Sequence, residues 1–344
     1  MMTDFTKTRA AFHLPDGMTY LDGNSLGPMP RAAADRVATM MADEWSEMLI
    51  TGWNRAGWYV QPRKVGDRIA RLIGAGDGQV VMGDTLSIKV FQALSAALAL
   101  RPDRRVILSD SGNFPSDLYV AEGIARALGA TLRVVAPEEV EAAIGPDLAV
   151  LMLTEVDYRT GRRHDMPALT ARAHEAGALA IWDLAHSAGA VDVDLLGSDA
   201  DFAVGCTYKY LNGGPGAPAF IWTHPRHAEQ AEPILQGWMG HAAPFAFDRE
   251  YRPAPGIERM RVGTPPVIAL SALEASLDIW DTVDMAALRA RSVELTEAFI
   301  AGVEAHCPDL VLNSPRDPAR RGSQVGFRHP QGYAVMQALI AAGV

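Results

Sequence analysis

Cysteine is nearly absent, with only Cys206 and Cys307 in 344 residues. That excludes a disulfide framework and a cysteine-built structural zinc site, and it fits a reducing compartment. Positive charge is in deficit as well: 31 Lys and Arg stand against 41 Asp and Glu, a formal net charge of −10. Nucleic acid is therefore not expected as a partner, because phosphate binding needs clustered cations. An apparent basic cluster, Arg316 with Arg320 and Arg321, is interleaved with Asp317 and Pro318 and reads as a solvated loop. Long apolar runs are missing too. "VFQALSAALAL" (90–100) is too short to span a bilayer, and "MMTDFTKTRAAFHLPDG" has no signal-peptide core. A cytoplasmic protein without membrane contact is the expectation.

The common nucleotide and metal motifs are also lacking. There is no G-x-x-x-x-G-K-[ST] and no H-E-x-x-H, and "GAGDGQ" (74–79) breaks the dinucleotide spacing at its third glycine. "HPRH" (224–227) sets two histidines three apart beside Pro225, which reads as surface loop rather than metal site. No metal is expected.

What is present is an ordinary globular composition, 49% hydrophobic and 21% charged, of a length that suggests a large domain with a smaller partner. From residue 105 short apolar runs alternate with helical patterns. Strands are expected at 105–110, 131–135, 148–153, 178–183 and 202–207, with helices at 116–129 and 166–177. These strands are apolar on both faces, as strands are when helices cover both sides of a sheet. Strand, helix, strand at this spacing means crossovers and a mostly parallel sheet. "PRAAADRVATMMADEWSEML" (30–49) reads as one long amphipathic helix, with further helices at 265–281 and 284–306. "DLVLN" and "SQVGFRH" read as short strands, and "GYAVMQALIAAG" as a helix. The expected fold is α/β. An N-terminal segment (1–55) contributes to a small domain and the active site, a large domain spans 56–262, and 263–344 supplies the C-terminal part of the small domain.

In open α/β sheets ligands bind beyond the carboxyl ends of the strands. At those ends lie "SGNFPSD", Thr154, Asp183 and, just past the strand 202–207, Lys209. Asp183 and Lys209 are 26 residues apart, one strand plus its connection. Such a pair suits pyridoxal phosphate: the lysine forms the Schiff base, and the carboxylate pairs with the pyridinium nitrogen. Phe114 offers a ring face for stacking, and Ser116, Asp117 and a helix start offer polar contacts to a phosphate. Singly, each residue has a plainer reading: an exposed lysine, a turn aspartate, a core phenylalanine. Their conjunction at this spacing favours the cofactor.

"YLDGNSLGPMP" (20–30), "NFPSD" (113–117), "DLAHSAGAVDVDL" (183–195), "DFAVGCTYKYLNGGPGAPAFI" (201–221) and "GWMGH" (237–241) together resemble the kynureninases, pyridoxal-phosphate hydrolases of fold type I. The resemblance runs from about residue 10 to residue 344. It implies that Lys209 is the Schiff-base lysine, Asp183 the partner of the pyridine nitrogen and Tyr208 a candidate proton donor. It implies cofactor contacts from Leu86 and Ser87 at the phosphate, from Phe114, Pro115, Ser116 and Asp117, and from Thr154, His186 and Tyr208. Trp238 and Thr264 match residues that reach the cofactor from the partner of a homodimer. Asn24, Trp53, Asn54 and His241 would line the substrate pocket, with Trp58 and Phe245 further aromatics for it. The implied reaction is hydrolysis of L-kynurenine, or its 3-hydroxy form, to anthranilate or 3-hydroxyanthranilate and L-alanine, in tryptophan catabolism.

Two features depart from the resemblance. Lys89 stands where asparagine is common, and is expected to face solvent. Family members also continue past "YAVMQALIAAGV" to an arginine that clamps the substrate carboxylate. The small domain is thus expected to be incomplete and hydrolysis weak, unless Arg259, Arg261 or Arg328 substitutes. Two other readings stand beside the hydrolase. One is another class V lyase or transaminase, such as a cysteine desulfurase, which needs a cysteine on a mobile loop, whereas Cys206 lies in a strand and Cys307 follows a helix. The other is a shortened chain that binds the cofactor with little turnover.

Overall fold

The computed structural model describes residues 3–344. Seven strands form the central sheet: β1 (Val80–Met82), β2 (Val106–Asp110), β3 (Thr131–Val135), β4 (Leu148–Thr154), β5 (Leu179–Asp183), β6 (Phe202–Gly205) and β7 (Phe220–Thr223). Their order across the sheet is β1-β7-β6-β5-β4-β2-β3. Every pair from β6 to β3 is parallel, while β7 runs antiparallel to both of its neighbours. The mostly parallel α/β sheet follows from the crossovers. The reversed strand follows the connection 206–219, which forms only turns and no crossover helix, so the chain returns antiparallel beside β6.

The α-helices are α1 (Phe5–Ala10), α2 (Arg31–Thr39), α3 (Ser46–Met48), α4 (Gly52–Arg55), α5 (Gln61–Ala70), α6 (Leu86–Ala99) and α7 (Pro115–Leu128). They continue with α8 (Val140–Ala143), α9 (Met166–Glu175), α10 (Val267–Trp280), α11 (Met285–His306) and α12 (Gly332–Ala341). Local chemistry sets their ends. α7 begins with Pro115 in its first turn and stops at Gly129, whose φ of +65° suits glycine. Asp165 and Asp284 cap α9 and α11 by accepting from Ala168 N at 3.1 Å and Ala287 N at 2.8 Å.

Alternation along β4 divides the core into two layers. Leu151 and Leu153 pack on one face with Ile69, Trp182, Leu273 and Leu277, while Val150 and Met152 pack on the other with Leu94, Ile124 and Ile181. Thus α5, α9 and α10 cover one face, and α6 and α7 the other. All residues of β4 and β5 are buried, whereas the edge strand β3 is not. Beyond the sheet, β8 (Val311–Leu312) pairs antiparallel with β9 (Phe327–Arg328) beside α11. Among the described residues no helix is long and apolar enough to cross a membrane.

Two sequence expectations need correction here. The helix expected over 30–49 is interrupted: after α2 the backbone widens into a π-helix at Met40–Trp45. That segment carries Glu44, which pairs with Arg36 at 2.9 Å and accepts from Trp58 Nε1 at 2.8 Å. Nor are the histidines of "HPRH" loose on the surface. His227 and Arg226, with His174, converge on the fully buried Asp201 at 2.7, 2.6 and 2.8 Å. Burial works against the Asp201 charge, but hydrogen bonds from His174 and His227 hold its carboxyl well below the usual carboxylate range.

Candidate active site

Strand register brings the chemistry together. Thr154 and Asp183 are directly paired at the carboxyl ends of β4 and β5, and Asp183 is paired with Val204 of β6. After β2 the chain turns sharply: Asp110 Oδ1 accepts from Gly112 N at 2.7 Å. Asn113 then fixes the turn, accepting from Phe114 N at 2.7 Å and Thr154 Oγ1 at 2.5 Å while donating to Ser109 Oγ at 3.0 Å. Phe114 is thereby presented over the strand ends. Behind the turn, His164 Nε2 lies 2.6 Å from Asp110 Oδ2.

The lysine turn is held from both sides. Thr207 Oγ1 donates to Pro218 O at 2.7 Å, and Gly213 N donates to Thr207 O at 2.8 Å. From the N-terminal segment, Gly27 N donates to Tyr208 O at 2.8 Å. A Cβ on Gly27 would stand 2.2 Å from the Lys209 carbonyl oxygen, so only glycine allows this approach.

The result is a cavity of about 260 Å³ lined by Thr85, Leu86, Ser87, Phe114, Ser116, Thr154, Tyr158, Asp183, Ala185, His186, Tyr208 and Lys209. Lys209 Nζ lies 3.1 Å from His186 Nε2 and 5.7 Å from the centroids of both the Phe114 and the Tyr208 rings. Phe114 meets Tyr158 edge-on, with centroids 5.1 Å apart. Thr85 caps α6 without a side-chain hydrogen bond, so the amides of that helix start are free for an anion. A larger cavity of about 630 Å³ lies against Met29, Val37 and Pro215, but its wall is mostly apolar and holds no Lys, Arg, Asp or Glu side chain. Chemistry rather than size locates the site.

Burial governs the electrostatics. It pushes the Asp117 carboxyl well above the usual carboxylate range, and Asp183 alongside adds to the rise; neither Asp117 oxygen has a hydrogen-bond partner among protein atoms. Burial also raises Asp183, but Lys209 and the Ala185 amide, at 2.8 Å, favour its charged form. Asp117 is therefore the protonated member of the pair and Asp183 the charged one. Burial and the Lys209 charge pull the His186 imidazole down to about 3, so it is neutral. Burial pushes the Tyr208 phenol up, so it keeps its proton.

These residues fit pyridoxal phosphate. An amine, a buried carboxylate, an aromatic face and an uncapped helix start surround one cavity, and buried polar atoms there lack partners. Of the residues singled out from the sequence, Leu86, Ser87, Phe114, Ser116, Thr154, Asp183, His186, Tyr208 and Lys209 line it. Pro115 and Asp117 stand just behind, in the first turn of α7. Trp238 is 40% exposed and Thr264 is exposed, and neither lines it. The same holds for Asn24, Trp53 and Asn54. His241 is buried and engaged with its own loop, accepting from Ala243 N at 2.9 Å. Sequence reasoning missed Thr85, Tyr158, Asn113 and Gly27. Tyr158 lay within reach of the strand-end rule, four residues past Thr154.

Three expectations about lysine and arginine do not survive. Lys89 does not face solvent; it is fully buried. Arg259 and Arg261 are buried and committed elsewhere, to Glu229 at 2.8 Å and Glu258 at 2.9 Å. Arg328 is exposed on β9, and none of the three lines the cavity.

Comparison with known proteins agrees with the geometry. The Aminotransferase class-V family matches residues 20–344. Kynureninase from Pseudomonas fluorescens is 53% identical over 345 residues, covering 98% of this chain and 83% of the relative. Kynureninase from Burkholderia pseudomallei (strain K96243) is 52% identical over the same shares. Among solved structures, a cysteine desulfurase from Thermococcus onnurineus NA1 superposes with a TM-score of 0.82 at 19% identity, covering 100% of this chain and 87% of that one. A C-DES mutant with glycine covalently linked to its PLP cofactor gives 0.83 at 16% identity, covering 98% and 90%. The solved structures share the fold, and the sequence relatives decide the family. With its lysine, aspartate and phenylalanine gathered at the strand ends of this fold, the chain belongs to the kynureninase family of class V aminotransferase-like proteins.

Proposed function

We propose that this chain hydrolyses L-kynurenine, or its 3-hydroxy form, to anthranilate or 3-hydroxyanthranilate and L-alanine, using pyridoxal phosphate. The observation that carries the reading is the Lys209 amine, 9% exposed, sharing one cavity with Asp183, the Phe114 ring and the start of α6. When bound, the cofactor supplies an electron sink for charge developing on the substrate.

The chain's own residues do the rest. Lys209 would hold the cofactor through its amine, and it is the base placed in the cavity to take a proton from the substrate Cα. Asp183 would keep the ring nitrogen protonated, a task for a buried carboxylate with few competing partners. Phe114 would offer its ring as a stacking face. Neutral His186 restrains Lys209 without adding a second positive charge. Tyr208 keeps a proton to deliver within the cavity, where positioned proton transfer contributes roughly 10² to 10⁴ in rate.

Homodimerisation completes the reading. Trp238, Phe245, Phe247 and Leu21 expose 40%, 60%, 78% and 66% of their surface, and a second copy would cover them. A cytoplasmic location belongs to the same reading, since a reducing compartment would keep the exposed Cys307 as a free thiol.

A cysteine-consuming reaction is disfavoured by chemistry. Burial pushes the Cys206 thiol to about 11, and Cys307 is exposed after α11, away from the cavity. Offering the pyridoxal-phosphate-loaded protein L-kynurenine and L-cysteine in parallel tests the proposal. Anthranilate fluorescence from the first without sulfide from the second supports it; sulfide release without anthranilate refutes it.

A further inference from the structure

Past its first turn α6 is apolar except for Lys89, Gln92 and Ser95, which are spaced one turn apart and are 0%, 0% and 1% exposed. All three grip backbone from two segments packed on this face, residues 234–235 and Met260. Lys89 Nζ donates to Met260 O at 2.9 Å, Gln92 Nε2 donates to Leu235 O at 3.4 Å, and Ser95 Oγ accepts from Ile234 N at 3.2 Å. Lys89 Nζ also donates to Gln92 Oε1 at 2.9 Å and to Asp84 Oδ2 at 3.4 Å. A buried ammonium is costly unless paired, and a helix face that only had to pack would be met by leucine or alanine.

The Asp84 contact gives this arrangement its purpose. Asp84 has φ +56° and follows Gly83 at +155°, so the chain between β1 and α6 makes a tight left-handed turn. Its backbone is pinned to β7's approach, Gly83 N donating to Ala219 O at 2.9 Å and Ala219 N donating to Asp84 O at 3.0 Å. Immediately afterwards come Thr85, Leu86 and Ser87 on the cavity wall. Burial draws Lys89 down to about 8, with Asp84 opposing and Arg261 adding to the fall, so the amine carries charge at neutral pH.

We infer that Lys89 is a positioning residue for the cofactor phosphate: it fixes the turn 83–87 from behind by tying the Asp84 carboxylate to the Met260 carbonyl. The inference rests on the reading that the cavity holds pyridoxal phosphate. Its effect is confined to the phosphate end, since Lys89 touches neither Lys209 nor Asp183.

The test is titration of the cofactor-free protein with pyridoxal phosphate and, separately, with pyridoxal, which lacks the phosphate. Lys89→Met should weaken pyridoxal phosphate about 10- to 100-fold, the loss expected for one charged hydrogen bond, and leave pyridoxal within about twofold of the parent. Asp84→Asn, at a part-exposed site, should show the same selectivity more weakly, and it decides the matter if the Lys89 variant fails to fold. Equal weakening of both ligands, or no weakening of pyridoxal phosphate, overturns the inference. A parent chain that binds neither ligand would instead sink the proposed function, and this inference with it.

Discussion

Gly27→Ala is a sharp structural perturbation of the lysine turn. The new Cβ would lie 2.2 Å from Lys209 O, 2.4 Å from Asn212 Nδ2 and 2.9 Å from Asn212 Cα. The Asn212 amide could swing away, although it donates to Pro28 O at 3.2 Å. The other two atoms are backbone. Ordinary contact lies near about 3.5 Å, so the N-terminal segment and the lysine turn must part by about 1 Å. Overpacking of this kind costs about 1–3 kcal/mol. The larger effect falls on catalysis, because a shift of about 1 Å at a reacting group costs about 100-fold in rate. Gly23 in the same "DGNSLG" stretch supplies the control: a Cβ there meets nothing within 4 Å. Gly23→Ala should therefore match the parent in thermal midpoint and anthranilate release. Gly27→Ala should melt several degrees lower and lose about two decades in kcat at saturating cofactor. A Gly27→Ala protein with kcat within twofold of the parent would refute the idea that this contact positions Lys209.

Other expectations concern the site's electrostatics. Asp183→Asn should fold normally yet lose about 100-fold or more in turnover, as measured by anthranilate fluorescence; near-parental turnover would make Asp183 a turn residue only. Phe114→Ala should weaken pyridoxal phosphate binding by about 1 kcal/mol, read by titration of the cofactor-free protein. The native cofactor-free state keeps His186 neutral down to about 3, whereas the unfolded chain protonates it near 6.5. Fewer protons are bound in the native state, so stability is lost as pH falls through 6.5, the loss growing until about 3. In urea melts from pH 7 to 5, His186→Gln should escape about 2 kcal/mol of that loss. Equal pH dependence in the two proteins would contradict a buried neutral imidazole. A thiol reagent should modify Cys307 rapidly in the native protein and Cys206 only on unfolding.

The sheet was legible because β2, β4 and β5 are short apolar runs separated by helices, and a buried parallel strand has that signature. Asp183 and Lys209 were legible because strand ends are where an open sheet binds ligands. The reversed β7 was not, since an apolar run carries no sign of its direction. Lys89 was misread for a related reason. An ammonium belongs in water unless partners are brought to it, and its partners come from residues 84, 92 and 260. Asp201 likewise draws its histidines from positions 174 and 227, so "HPRH" viewed alone gave no hint of a buried aspartate partner. The π-helical stretch at Met40–Trp45 leaves no mark on apolar spacing either.

The measurement that bears most directly on the cofactor site is borohydride reduction of the pyridoxal-phosphate-loaded protein, followed by peptide mapping. The chain offers four lysines, Lys7, Lys64, Lys89 and Lys209. Lys7 and Lys64 are exposed, Lys89 is sealed on the buried face of α6, and Lys209 alone opens into the cavity with Asp183 and Phe114. One labelled peptide, containing Lys209, is the expected result, with the label lost in Lys209→Ala. Stoichiometric label on any other lysine, or label that persists in Lys209→Ala, would contradict the assignment of this cavity as the cofactor site.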